Sequence, residues 1–354
     1  MPSRRPRPAP PPDAPARRPT IIDVAARAGV SKSLVSLVMR GAPNVSDERR
    51  RLVLEAAQAL GYRPNAIARG LVSRRTHLLG VILSDLHNPF FAEVVDGVEE
   101  EAGARGYRTI FSTVDRRAEQ GERRALDTLL ELRVDALILA SPMLQPGAIE
   151  SASHELPVAL VARQWAHATA DSVANDDPLG AALVVRHLAG LGHARIAHID
   201  GGNAAGAADR RAGYEAAMRA AGLEAHVRVV SASYTDEGGR QGVAALFDDP
   251  ATPRPTALFV ANDLAAVGAL TALAERGLRV PADVSVVGYD NTALAALRHV
   301  DLTTVDQPRP DMGRTAVRLV LERLEDRSAE ARHLVIAPTL VVRGTTAPPA
   351  ADAR

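Results

Sequence analysis

The side chains of this sequence that could do chemistry are mostly cations and hydroxyls, and they crowd its amino-terminal fifth. Residues 1 to 75 carry 15 Arg and Lys against 5 Asp and Glu, and the remainder carries 27 against 37. A chain of zero formal net charge is therefore split into a basic part and an acidic part. The first is what phosphate neutralisation on a nucleic acid requires, and the second discourages the rest of the chain from adhering nonspecifically. The plainer alternative is a solvated charge run. Catalytic chemistry finds no comparable support. The ten histidines are scattered, and there is no G-x-S-x-G, no H-E-x-x-H and no phosphate-binding glycine loop with a lysine. The GGNAAG at 201–206 has neither dinucleotide-loop spacing nor a paired acid. With no cysteine there is no disulfide and no thiolate metal site. The expectation is a protein that is not an enzyme and uses no cofactor and no metal.

The elements that position the basic segment are short helices. Thr20 can cap a first helix, with Asp23 three residues on facing its free N–H groups, and Gly29 supplies a left-handed stop. After a Gly-Val corner Ser31 can cap a second helix. Val24, Ala25, Ala28, Val30, Val35 and Val38 fall where two helices crossing steeply would touch, which is helix-turn-helix spacing. An ordinary helical hairpin is the competing reading. A third helix has Ser46 as its cap, Asp47 and Glu48 in its first turn, Val53, Ala57 and Leu60 on one face, and Gly61 at its end. Pro64 and Asn65 then break the pattern, and the following turns to Val72 are too short to be stable alone.

From Leu78 apolar strands alternate with helices in two similar runs, the second beginning at ARIAHID. Continuous apolar strands imply parallel sheets covered on both faces. At 354 residues two or three domains are expected, and no apolar run approaches the length of a membrane span. A cytoplasmic protein with no membrane partner fits. The Pro- and Arg-rich stretch 1–19 reads as a disordered basic arm and 346–354 as a disordered tail.

The string D-V-A-x-x-A-G-V-S at 23–31, V-S at 35–36 and G-Y-x-P-N-x-x-A-x-x-L at 61–71 resembles the lactose-repressor (LacI/GalR) family of bacterial transcription regulators. The resemblance extends from about Thr20 to Thr345. It implies an α/β core of two doubly wound parallel-sheet subdomains, like periplasmic binding proteins, behind an all-α helix-turn-helix head. The implied boundaries are 20–64 for the head and 65–75 for a hinge helix and linker. One core half would be 76–175 plus 306–331 and the other 176–305 plus 332–345, with crossings near Val173 to Asp177, Thr304 to Pro308 and Arg332.

The implied function is an effector-controlled, sequence-specific DNA-binding regulator. It would be a repressor of a sugar or other small-metabolite operon, acting as a homodimer on a palindromic operator. A transport-type small-molecule binding protein is the alternative. By resemblance Lys32, Ser33 and Leu37 meet base edges, Ser31 and Ser36 meet phosphates, and Thr20, Arg40, Asn44, Ser46, Arg49, Asn65, Ala68 and Arg69 complete the DNA surface. Leu71 would wedge between base steps in the minor groove. Leu37 stands where arginine is common, so packing against the first helix competes with base contact.

For the effector the resemblance implies Phe90 and Phe91 as stacking rings, with Arg163, Arg210, Tyr234 and Asp263 as further contacts. Ala162 replaces an acid the family usually has before that arginine. Asp263 as a helix cap, and Arg210 in a plain ion pair, are the competing readings. His193, in LGHARIAHI, matches a structural signature of the family rather than a ligand contact.

Overall fold

The computed structural model describes residues 19–39, 41–62, 75–114 and 120–350. It divides into one unit up to Thr76 and another from His77. Residues 1–18, most of the expected hinge and 351–354 lie outside the described residues.

The described residues of the first unit form α1 (Ile21–Ala28), α2 (Lys32–Met39) and α3 (Asp47–Leu60). The α1 start is a reciprocal cap: Asp23 N donates to Thr20 Oγ1 at 3.4 Å and Thr20 N donates to the Asp23 carboxylate at 2.7 Å. Gly29 closes the helix at φ 65°, and Gly61 closes α3 at φ 63°. Ser31 Oγ accepts from Leu34 N at 3.2 Å at the start of α2. Ser46 occupies the cap position of α3, yet its hydroxyl makes no capping hydrogen bond, so the acidic first turn acts without it. Val24, Val35, Val38, Val45 and Val53 form the buried centre. Arg50 Nη2 donates to Ala42 O at 2.6 Å and fastens the turn between α2 and α3.

The second unit holds two sheets. The first half runs β1 (Leu78–Leu83), α4 (Phe90–Ala104), β2 (Arg108–Thr113), α5 (Gly121–Glu131), β3 (Ala136–Ala140), α6 (Pro146–Glu155), β4 (Val158–Val161) and β5 (Asp171–Asn175). The second half runs α7 (Asp177–Gly190), β6 (Ile196–Ile199), α8 (Ala207–Ala220), β7 (Arg228–Val230), α9 (Asp236–Phe247), β8 (Ala257–Val260), α10 (Asp263–Glu275), β9 (Ser285–Asp290) and β10 (Thr303–Asp306). The chain then returns through α11 (Arg309–Glu325), β11 (His333–Ile336) and β12 (Thr339–Val341). The sheet orders are β11-β5-β4-β3-β1-β2 and β12-β10-β9-β8-β6-β7. Among the described residues all strand pairs are parallel except β10 with β12. The apolar strand runs are buried because helices cover both faces; every residue of β3 and β4 is buried.

α11 packs on α4 beneath the first sheet. Gly97 and Gly313 permit that approach: a Cβ at Gly97 would overlap the Pro310 carbonyl, and one at Gly313 the Val94 carbonyl.

Two expectations are corrected. The last crossing was placed near Arg332, but His333–Ile336 pairs with β5 in the first sheet, His333 opposite Ser172, and the chain crosses only after Ile336. An HLVI segment suits either sheet edge, and the open edge of β5 takes it. The carboxyl-terminal segment is not a free tail as far as residue 350. Thr345 is buried, donating to Val286 O at 2.7 Å and accepting from Thr303 N at 2.9 Å. Ala347 N donates to Ser285 Oγ at 3.0 Å. Its polar, proline-rich composition hides the fact that these groups complete backbone and hydroxyl pairing at the start of β9 and β10.

Candidate functional site

The chain ends its parallel strands on a common opening between the two halves, where loops after the carboxyl ends of strands line a cavity of about 720 Å³. From the first half come Asp85, Asn88, Phe90 and Phe91 after β1, Glu122 on α5, Ser141 after β3 and Ala162 after β4. From the second half come Arg210 on α8, Tyr234 before α9, and Asp290 at the end of β9, with Gln307 on the crossing to α11.

The aromatic wall follows from the start of α4. Asn88 Oδ1 accepts from Phe90 N at 3.0 Å and turns the chain so that Phe90 and Phe91 both enter the helix. Their rings meet edge to face, 5.2 Å apart at 86°. Both are largely buried and give the cavity only part of their surface.

Arg210 is buried and anchored. Its Nε donates to Asp177 Oδ1 at 2.9 Å and its Nη1 to Ala261 O at 2.6 Å. Its guanidinium lies 3.8 Å from the Tyr289 ring centre and 5.5 Å from that of Tyr234. Tyr289 donates its hydroxyl to the same Asp177 oxygen at 2.8 Å. The ion pair with Asp177 is thus buried and structural, and it fixes a charged fork in the cavity wall. Tyr234 donates to Ala205 O at 3.2 Å, and burial pushes its hydroxyl up to about 12, so it remains a neutral ring.

Asp290 supplies the carboxylate at this end. It is buried, stands at φ 113° and accepts from Gln307 Nε2 at 2.6 Å. Burial is the main cause that pushes its carboxyl up to about 8, against the attraction of Arg210. Asp263 was expected here and is not in the wall. It lies fully buried behind it, accepting from Thr292 N at 2.7 Å, Thr292 Oγ1 at 3.0 Å and Thr304 Oγ1 at 2.6 Å. Nor is it the helix cap: Asn262 Oδ1 accepts from Ala265 N at 2.9 Å. Asp263 braces the ends of β9 and β10 instead.

Arg163 also lies outside the wall. It donates to Pro142 O at 2.6 Å and Leu144 O at 3.3 Å and reaches over the Trp165 ring at 5.6 Å, so it holds the loop after β3. Ala162, at φ 57°, takes the place in the wall where an acid was noted as missing. Glu122 brings a different carboxylate to that side, accepting from Met143 N at 2.9 Å, with burial pushing its carboxyl up. Glu122, Asp290 and Gln307 have no counterpart among the sequence-derived expectations. The one available signal was an acid closing the apolar strand VSVVGYD. His193 is buried away from the cavity, between Thr256 Oγ1 at 2.9 Å and Ala347 O at 2.8 Å, and burial lowers its pKa.

In the first unit Lys32 and Ser33 are exposed at the start of α2, as are Ser31, Asn44, Ser46 and Arg49. Thr20 and Ser36 are partly buried. Leu37 is partly buried and packs on the centre of the head. Arg40, Asn65, Ala68, Arg69 and Leu71 lie outside the described residues.

Residues 20–65 match the bacterial regulatory proteins of the lacI family, and residues 185–346 match the periplasmic binding protein-like domain. The ribose operon repressor of Haemophilus influenzae is 35% identical over 92% of this chain and 97% of its own length. The catabolite control protein A of Priestia megaterium is 34% identical over 92% and 99%. The chain belongs to the LacI family. This LacI-family protein also superposes on the lac repressor dimer bound to operator and the anti-inducer ONPF, with a TM-score of 0.81 and 30% identity over 94% of this chain and all of that one. The family supplies the function at its coarsest: a DNA-binding transcriptional regulator with a helix-turn-helix head and a periplasmic-binding-protein-like body. A transport-type binding protein without a DNA role is not favoured, since the matched head is present. Among the described residues no helix is long and apolar enough to cross a membrane.

Proposed function

We propose that this regulator is a homodimeric, effector-controlled repressor whose two heads read a palindromic operator. One observation carries the proposal: a single chain joins a helix-turn-helix head with exposed Lys32 and Ser33 to a cavity walled by both halves of its body. A ligand seated between two halves that can move shifts DNA affinity by the difference in its affinity for the two arrangements, about 1 to 3 kcal/mol. The curated relatives include ribose operon repressors and the HTH-type transcriptional repressor PurR. Structural neighbours were solved with cellobiose and with ribose. Rings at Phe90 and Tyr234, the Arg210 fork and the Asp290 carboxylate suit a polyhydroxylated effector. Residues 65–75 would fold as a hinge on the operator, with Leu71 as the wedge and Asn65, Ala68 and Arg69 beside it, while Arg40 and Arg49 neutralise phosphates. Such a protein works beside DNA in the cytoplasm and performs no catalysis.

The test is selection of operators from a random duplex pool, followed by titration of the best site at several salt concentrations. The expected outcome is a palindromic site, with affinity falling by about 0.9 log unit per log unit of salt for each phosphate contact. Selection of no sequence, or a flat salt response, overturns the proposal.

A further inference from the structure

Asn291 follows Asp290 and stands at φ 54°, in the left-handed region that asparagine enters more readily than most side chains. All four of its polar groups are used. Its N–H donates to Thr304 Oγ1 at 3.3 Å and its Nδ2 to Asp306 Oδ1 at 2.9 Å, both on β10. Its Oδ1 accepts from Arg343 Nη2 at 2.7 Å, and its backbone oxygen accepts from Arg309 Nη2 at 2.8 Å. The side-chain amide fits only one way round, because its donor faces a carboxylate and its acceptor faces a guanidinium. Arg343 is itself fixed in the second half, donating to Leu302 O at 2.8 Å. Thr304, Asp306 and Arg343 therefore hold Asn291 from within its own half. Arg309 is the exception: it opens α11, which packs on α4, and two of its N–H groups are bound to Glu93 of α4.

A rotation of the halves that parts α11 from the turn after β9 must break one side of Arg309. On the Glu93 side stand two bonds between full charges and a close helix pair. On the other side stand one bond to the neutral carbonyl of Asn291 and a 3.4 Å contact with Asp306 Oδ1. Bonds between charged groups are the stronger kind, so the Asn291 side yields first. We infer that Asn291 is a positioning residue of the regulatory switch: its clamped amide holds its backbone oxygen on Arg309 and so keeps the two halves in the arrangement seen here. Asn291 is not among the residues that line the cavity, so it acts through the fit of the halves and not by touching a ligand. Hinge motions of this kind turn on a few residues at the ends of elements, and a ligand moves the balance only between arrangements that such contacts set. The consequence for DNA binding rests on the proposed effector control, whereas the catch itself can be read without effector or DNA.

The experiment places spin labels at Glu131→Cys and Arg219→Cys in the full chain, which has no cysteine of its own, diluted with unlabelled chain. The distance distribution between the labels reports how the halves stand. Asn291→Gly keeps the left-handed backbone and the carbonyl but removes the amide, and it should shift the balance between arrangements about tenfold, read as a broadened or second distance. Asn291→Asp sets a second carboxylate against Asp306 and should do the same. Adding Asp306→Asn to Asn291→Asp exchanges donor and acceptor, and the wild-type distribution should return. Thermal unfolding shows which variants fold; if Asn291→Gly does not, Asn291→Asp and its exchanged pair carry the test. An unchanged distribution in a folded single variant overturns the catch, and so does a folded exchanged pair that stays loose. The same proteins are then titrated with the selected operator duplex. Affinity should differ from wild type by about threefold or more in Asn291→Gly and return in the exchanged pair. Loosened halves with unchanged operator affinity overturn the regulatory role of Asn291 while effector control stands. A wild type that selects no operator sinks the proposed function instead, and the label distances then decide the catch alone.

Discussion

Two N–H groups of Arg309 converge on one carboxylate oxygen of Glu93, at 3.0 and 2.8 Å. Glu93 belongs to α4 of the first half. The same guanidinium donates to Asn291 O at 2.8 Å, in the turn after β9 of the second half. One buried cation therefore joins both halves immediately beside Gln307 in the cleft.

Removing that cation should free the halves from one another. Arg309→Met is expected to lower stability by about 1 to 3 kcal/mol, because Glu93 is partly exposed and water offsets part of its loss. Since the chain has no cysteine, labels at Glu131→Cys and Arg219→Cys report the distance between halves without further changes. The variant should broaden that distribution, and an unchanged width and stability would show that the contact does not hold the cleft.

The buried acids give the body a signed pH dependence. Asp290 is pushed up to about 8, mainly by burial, with Asp263 adding repulsion and Arg210 and Arg309 opposing it. A carboxyl raised above its unfolded value of about 3.9 contributes most below that value, and the contribution is lost as pH rises through its folded value. Asp290→Asn should therefore gain on the wild type in thermal midpoint as pH is raised from about 5 to about 8.5. A difference that is constant across that range would contradict the burial argument.

On the head, Lys32 and Leu37 should separate. Lys32 is exposed at the start of α2, whereas Leu37 packs on the centre of the head. Lys32→Ala is expected to weaken operator binding, with specificity relaxed at one position if it meets a base edge. Leu37→Ala should cost about 1 to 2 kcal/mol of head stability and leave the selected operator sequence as it was. A changed operator for Leu37→Ala would assign that side chain to the bases instead.

The carboxyl-terminal segment should behave as part of the second half. Ending the chain after Gly344 removes the Thr345 partner of Thr303 N and Val286 O and the Ala347 partner of Ser285 Oγ and His193 Nε2, which keep only each other at 3.1 Å. A loss of about 2 kcal/mol or more is expected, read as a fall of several degrees in the thermal midpoint. A truncated chain as stable as the whole would return this segment to a free tail.

Helix caps at Thr20 and Ser31, the stops at Gly29 and Gly61, the two-helix spacing of the head and the strand-helix alternation were legible in the sequence by itself. Each depends on residues within a turn or a strand of one another. Tertiary structure alone decided which of two acids faces the cleft: Asp263 and Asp290 both follow apolar strands, and the threonines at 292 and 304 capture the first. It also decided that Arg163 serves a loop, that Glu122 and Gln307 enter the wall, and that His333–Ile336 closes the first sheet. These choices turn on contacts between residues remote in the chain, such as Arg309 with Glu93. Which partner a buried polar group finds there depends on how the sheets pack and which edges stay open.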